Sequence, residues 1–209
     1  MQSLMGQRQN HLETIIFNRF GSYKHPKPTE EEFSTFSETI SKTYLVLSGQ
    51  FKKAPIKFGP WDISTKNFII ELDEERHFNR YRLLTLQSEF YSNHNFFSTQ
   101  DYKRYCVTYE DTCLRAANWG QNWKNDSTEK MFSKSDQEGF LGKSGSSRWK
   151  QRAYYDFLKD ITSQIKRLPI IRISIYDNYE NQTIDKILNS TNDKLINEFI
   201  DTKLRQHCG

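Results

Sequence analysis

Cysteine is scarce in this chain. Cys106, Cys113 and Cys208 are an odd number and no pair has the spacing of a metal site. That excludes a disulfide scaffold and a cysteine-ligated zinc module, and leaves free thiols in a reducing compartment as the expectation. Long apolar runs are also missing. No stretch approaches the ~20 residues that a membrane span needs. The opening MQSLMGQRQN lacks the apolar segment of a secretory signal. A cytoplasmic protein with no membrane partner is expected. Aliphatic content is low too: hydrophobic residues make up 35% of the 209. Aromatics supply the remaining core material, with 15 Phe, 11 Tyr and 4 Trp, since each buried ring removes a large area from water.

Charge is present and unevenly placed. The net charge is +4, yet Leu141 to Arg172 alone holds eight basic residues and two acids. The basic ones are Lys143, Arg148, Lys150, Arg152, Lys159, Lys166, Arg167 and Arg172. Such a stretch is either a solvated helix face or a phosphate-facing surface.

Periodicity predicts a helix at 10–20 ending at Gly21, and a second from about Glu30 to Leu47 capped by Thr29. Short extended pieces follow at about 51–58 and 60–64, then a strand at 67–73 behind the polar Ser64-Thr65-Lys66 turn. Residues 88 to about 146 are rich in Asn, Ser, Lys and aromatics and are expected to form an insertion, with a helix near 101–118. Arg148 begins a helix of more than four turns. Leu168-Pro169 stops it, IIRISIY at 170–176 follows as a strand, and a helix at about 183–205 ends the chain. The expectation is a single α/β domain over 1–209, a mixed central sheet flanked by helices.

The stretch NFIIELDEERHFNRYR at 67–82 poses the functional question. An apolar strand runs directly into Glu71, Asp73, Glu74 and Glu75. Alternation puts Glu71 and Asp73 on one side of the strand, and Asp62 lies nine positions upstream. If the two segments pair as a hairpin, three carboxylates meet. Crowded carboxylates repel unless a cation gathers them, and Mg²⁺ is suited to that task. The alternative is a solvated acidic turn. His77, four residues after Asp73, can reach the same place as an acid, a base or a water-positioning group. Gln151, Tyr155 and Lys159 step by four along the basic helix and share a face. Arg172, inside an apolar strand, pairs with a buried carboxylate or contacts a phosphate.

Asp62, then Glu71-Leu72-Asp73, then His77, resembles the PD-(D/E)XK nuclease superfamily, nearest the very-short-patch repair endonuclease branch. Gln151, Asp156, Lys159 and Ile170-Ile171-Arg172-Ile173 look like the later helix and strand of that pattern. Glu74 departs from it, standing where Gly is usual, and Asp73 occupies the place of the usual Lys. The resemblance covers 59–77 and 148–176. It implies a restriction-endonuclease-like core and metal-assisted hydrolysis of DNA. Asp62, Glu71 and Asp73 would hold Mg²⁺, for which Mn²⁺ would substitute. His77, Gln151 and Lys159 would assist catalysis, with Lys66 a weaker candidate for the lysine role and Glu13 or Glu38 a candidate added ligand from the first helices. Arg148, Lys150, Arg152 and Arg172 would contact DNA. Base recognition is expected near Trp119, Asn122, Trp123 and Lys124, which could equally pack the insertion onto the core. A homodimer is compatible with all this. The alternative reading is an inactive nuclease-fold module that binds nucleic acid or a protein partner. A third is a structural protein in which Arg172, Arg76 and Lys159 pair with the carboxylates.

Overall fold

The strand that ends in the acidic cluster is the centre of the fold. In the computed structural model, which describes residues 6–93, 97–116, 122–190 and 192–208, strand β2 (Ile69–Asp73) is buried at every position. It pairs antiparallel with β1 (Ile63–Ser64), Ile63 opposite Ile70, and parallel with β3 (Ile170–Ser174), Glu71 opposite Arg172. The expected hairpin therefore forms. Thr65 closes its turn: its hydroxyl donates to the Phe68 carbonyl at 2.8 Å and accepts from the Phe68 N–H at 3.2 Å. The extended piece at 51–58 is not a strand, and only Ile63–Ser64 of the second piece pairs. Pro55 and Pro60 lack the N–H groups that a ladder requires.

Parallel strands need a crossover, and helix α7 (Ser147–Lys166) supplies it. The Ser146 side chain caps it by accepting from the Trp149 N–H at 3.1 Å. Arg167, in a left-handed conformation at φ 49°, ends it ahead of Pro169. Most of α7 is buried, including Trp149, Tyr154, Phe157, Leu158 and Ile161. A helix covered on nearly all sides is an interior element. Of the two readings of the basic stretch, a solvated helix face does not hold for α7.

Strand alternation gives the sheet two unlike faces. Ile70, Leu72, Ile171 and Ile173 join an aliphatic core with α1 (Gln7–Phe20), α8 (Ile184–Leu188) and α9 (Asp193–Cys208). Glu71, Asp73 and Arg172 face α7. On its other sides α7 meets an aromatic core. That core draws on α2 (Ser37–Val46), α3 (Arg80–Thr85), α4 (Thr99–Thr108), α5 (Glu110–Ala116) and α6 (Asp126–Phe132). Residues of the expected insertion, Tyr102, Trp123 and Phe132 among them, are part of this core. The helix expected at 101–118 breaks at Tyr109, and the C-terminal one splits after Leu188, where Asn189 and Ser190 turn the chain. The class is mixed α/β, with a three-stranded sheet and a separate pair, β4 (Asn178–Tyr179) and β5 (Gln182–Thr183). No helix among the described residues is long and apolar enough to cross a membrane.

Ile171, 1% exposed on the aliphatic face of β3, tests this layering. Ile171→Ala should cost about 2–5 kcal/mol in urea unfolding. Val107→Ala, at a position 69% exposed, should change stability by less than about 0.5 kcal/mol.

Candidate active site

Two charged clusters lie between the sheet and α7. The first joins Asp62, Glu71 and Lys159. The Asp62 N–H donates to Glu71 Oε1 at 3.2 Å, and Asp62 Oδ2 accepts from the Leu72 N–H at 3.0 Å. Lys159 Nζ donates to Glu71 Oε2 at 2.5 Å and lies 5.8 Å from the Trp61 ring. Burial and then the Asp62 charge raise the Glu71 carboxyl to about 8, against the pull of Lys159 and Arg172. Burial also raises Asp62. On Lys159 burial acts the other way, but Glu71 and Asp62 outweigh it and keep the ammonium charged. Two carboxylates thus share one lysine, and the shortfall is met by a proton on Glu71 near neutral pH.

The second cluster is built on Arg172, which has no solvent exposure. Its Nη1 donates to both oxygens of Asp73 at 2.8 and 2.9 Å, its Nε to Asp160 Oδ1 at 2.6 Å, and its Nη2 to the Asp156 carbonyl at 3.0 Å. Arg82 Nη2 and the Tyr91 hydroxyl donate to Asp160 Oδ2 at 2.8 and 2.5 Å. The Tyr102 hydroxyl donates to Asp73 Oδ2 at 2.9 Å. His77 Nδ1 donates to Asp156 Oδ2 at 2.9 Å and lies 3.0 Å from Asp73 Oδ1. Burial opposes charge on His77, but Asp156 and Asp73 outweigh it and raise it to about 9. Arg172 and His77 outweigh burial on Asp73 and hold it at about 2, and His77 and Arg172 hold Asp156 lower still. With His77 protonated, three aspartates face three cations and the cluster is neutral.

Asp73, His77 and Asp156 each offer a ligand atom within 4.8 Å of the others, so this buried group could hold a metal ion. It is the one such group of three among the described residues. The expected set of Asp62, Glu71 and Asp73 is therefore not assembled: Asp73 is turned into the Arg172 cluster.

A pocket of about 160 Å³ lies over the clusters, lined by His77, Arg148, Gln151, Arg152, Asp156 and Lys159 among others. Five residues expected from the sequence thus meet at one surface. Gln151 Nε2 donates to the Tyr155 hydroxyl at 3.1 Å, and Arg148 donates to Gln151 Oε1. Burial and then Arg76 press Arg152 below its ordinary range, and Arg148 adds to the crowding. Three arginines thus gather here, and Asp156 offsets only part of the crowding on Arg152, which also donates to the Arg76 carbonyl at 3.3 Å.

The other expected residues lie elsewhere. Arg172 cannot reach DNA, because it is sealed among carboxylates. Lys150 is 5% exposed with its ammonium 5.6 Å from the Tyr81 ring, so it too leaves the phosphate-facing set. Lys66 is exposed at the hairpin turn. Glu38 pairs with Lys42 on the surface at 2.8 Å, whereas Glu13 lines a larger cleft together with Asp62. Trp123 is a core residue packed on Trp149 at 5.2 Å, Asn122 accepts from Arg76, and Lys124 is exposed. Trp119 lies outside the described residues. Asp160, Arg82, Tyr91 and Tyr102 were missed. Their only sequence signal was the i, i+4 pair Asp156 and Asp160 on a helix beside an arginine-bearing strand.

Residues 42–190 match the model of a family of unknown function, DUF7255, and the chain belongs to that family. No curated protein and no solved structure matches it.

The His77 shift sets a pH signature. Its folded-state value lies above its ordinary 6.5, so its stabilisation is complete below 6.5 and is lost as pH rises through 9. Unfolding free energy should fall by about 3 kcal/mol across that window from this group. His77→Asn should flatten the profile, and an equal slope in both proteins would contradict the assignment.

Proposed function

We propose that this DUF7255 protein is a metal-dependent nuclease that hydrolyses phosphodiester bonds in DNA. The observation that carries the reading is the meeting of Asp62, Glu71 and Lys159 between the hairpin and α7. Buried carboxylates held beside one another with too little positive charge are the donor set for a hard divalent ion, and Asp62 and Glu71 would hold Mg²⁺ or Mn²⁺. When bound, such an ion supplies a polarised water and offsets charge at the scissile phosphate.

The remaining roles fall to side chains of the pocket. Lys159, released from Glu71 as the ion takes that carboxylate, would stabilise the phosphate oxygens as negative charge develops. His77, protonated to about 9, is no general base at neutral pH and would act as a donor. Gln151, steadied by Tyr155 and Arg148, would orient water or the strand. The crowded Arg76, Arg148 and Arg152 would be relieved by a backbone phosphate. The order of hairpin, helix and parallel strand, with Asp62 before β1 and Glu71 on β2, is the order that a restriction-endonuclease-like core implies.

A second reading is a DNA- or protein-binding module without catalysis. It is favoured by Glu71, both of whose oxygens already accept from the chain.

Cleavage of supercoiled DNA with Mg²⁺ or Mn²⁺ tests the first against the second. The wild type should cut and EDTA should stop it. Glu71→Gln and Lys159→Ala should each lower the rate by about 100-fold or more, with Glu71→Gln still folded by circular dichroism. DNA binding that ignores EDTA, without cleavage, would replace this reading with the second.

A further inference from the structure

Beside Asp62 lies a cleft of about 730 Å³, several times the pocket over Lys159. One wall is the segment that follows α1 and carries Tyr23, Lys24, His25 and Lys27. This segment is fastened to the hairpin. The Tyr23 N–H donates to the Ser64 carbonyl at 2.8 Å, and His25 Nε2 lies 2.7 Å from the Thr65 carbonyl. Trp61, Asp62 and Ser64, on the approach to and along β1, also line it.

Three features of these walls point to one kind of occupant. First, Tyr23 is 48% exposed, with its backbone held and its ring 4.7 Å from that of His25. A half-exposed aromatic on an anchored segment is a stacking platform. Second, Trp61 Nε1 and Ser64 Oγ are buried and have no hydrogen-bond partner. Buried donors are ordinarily satisfied, and a small shift of the lining would offer these two to the acceptor atoms of a ligand. Third, Lys24 and Lys27 stand at the rim, and Lys57 and Lys159 are near enough to repel Lys27. A flat π system with edge acceptors, joined to negative charge, is a nucleotide. The volume lies in the range of small-ligand sites. A base within a duplex presents neither its face nor its pairing edge to a concave wall; an unpaired base presents both.

We propose that the cleft holds an unpaired nucleotide of a single DNA strand, its base at Tyr23 and Trp61 and its phosphate at Lys24 and Lys27, so that the adjoining phosphate reaches Asp62 and Lys159. The placement of that adjoining phosphate rests on the nuclease reading; occupancy of the cleft does not. The substrate class is then single-stranded DNA, or duplex with a displaced nucleotide.

Fluorescence anisotropy of a labelled oligothymidylate and of a duplex of equal length, both in EDTA, tests the cleft without cleavage. The wild type should bind the single strand more tightly. Tyr23→Ala should weaken that binding by about tenfold or more, and Lys24→Ala should reduce the salt slope of single-strand binding by about one. Tighter binding of the duplex, or single-strand binding indifferent to Tyr23→Ala, would overturn the proposal. Failure of the nuclease reading shows separately, as absent cleavage of both the oligothymidylate and supercoiled DNA by the wild type with metal present.

Discussion

A fully buried guanidinium organises this protein. Arg172 cannot shed its charge, and an unpaired charge at that depth would cost several kcal/mol. Its partners are therefore dictated: Asp73 across the strand pair, and Asp156 and Asp160 on the helix above. These bonds fasten β2, β3 and α7 together at one height. Once α7 is set by Asp156 and Asp160, Lys159 between them is delivered to Glu71. The aliphatic face of the sheet and the aromatic shell around α7 supply most of the burial, but neither would register the helix on the strands so narrowly.

The two clusters differ in what they leave over. Around Arg172 the charges close without help, with a proton on His77 as the last cation. An ion at Asp73, His77 and Asp156 would have to displace that proton, and Asp73 already serves Arg172 and Tyr102. Around Glu71 the charges do not close. Asp62 borders the large cleft and Lys159 the small pocket, so this cluster faces both hollows. A divalent ion and Lys159 against two carboxylates leave one positive charge, the complement of one phosphodiester. On the proposed nuclease reading, the ion would therefore sit at Asp62 and Glu71 with the substrate beside them.

Much of this was legible in the sequence and some was not. The apolar run before Glu71, the polar turn at Thr65 and the four-residue steps on α7 identified the hairpin and the helix, because local patterns report local structure. Asp62, Glu71, Gln151 and Lys159 could be nominated for the same reason. Asp73 was assigned to the wrong partners. Alternation places it beside Glu71, and the register sets Arg172 opposite Glu71, yet the guanidinium reaches past it to Asp73. The basic count from 141 to 172 suggested a surface, since charge alone does not distinguish Lys150 under an aromatic ring from Arg148 at a rim. The segment at 88–146 looked like an appendage because its aromatics lack periodicity. Tyr91, Trp123 and Phe132 among them pack on Phe157, Trp149 and Tyr154 of α7, and that contact is long-range. The cleft was invisible, because its lining comes from α1, the segment after it and the approach to β1, which meet only in the folded chain.

The most direct measurement is anomalous diffraction at the manganese edge from crystals grown with Mn²⁺. A peak bonded to carboxylate oxygens of Asp62 and Glu71 is expected, with Lys159 moved off Glu71 toward the pocket and Arg172 unchanged. A peak held only by Asp73, His77 and Asp156, or none with Lys159 still on Glu71, would contradict it.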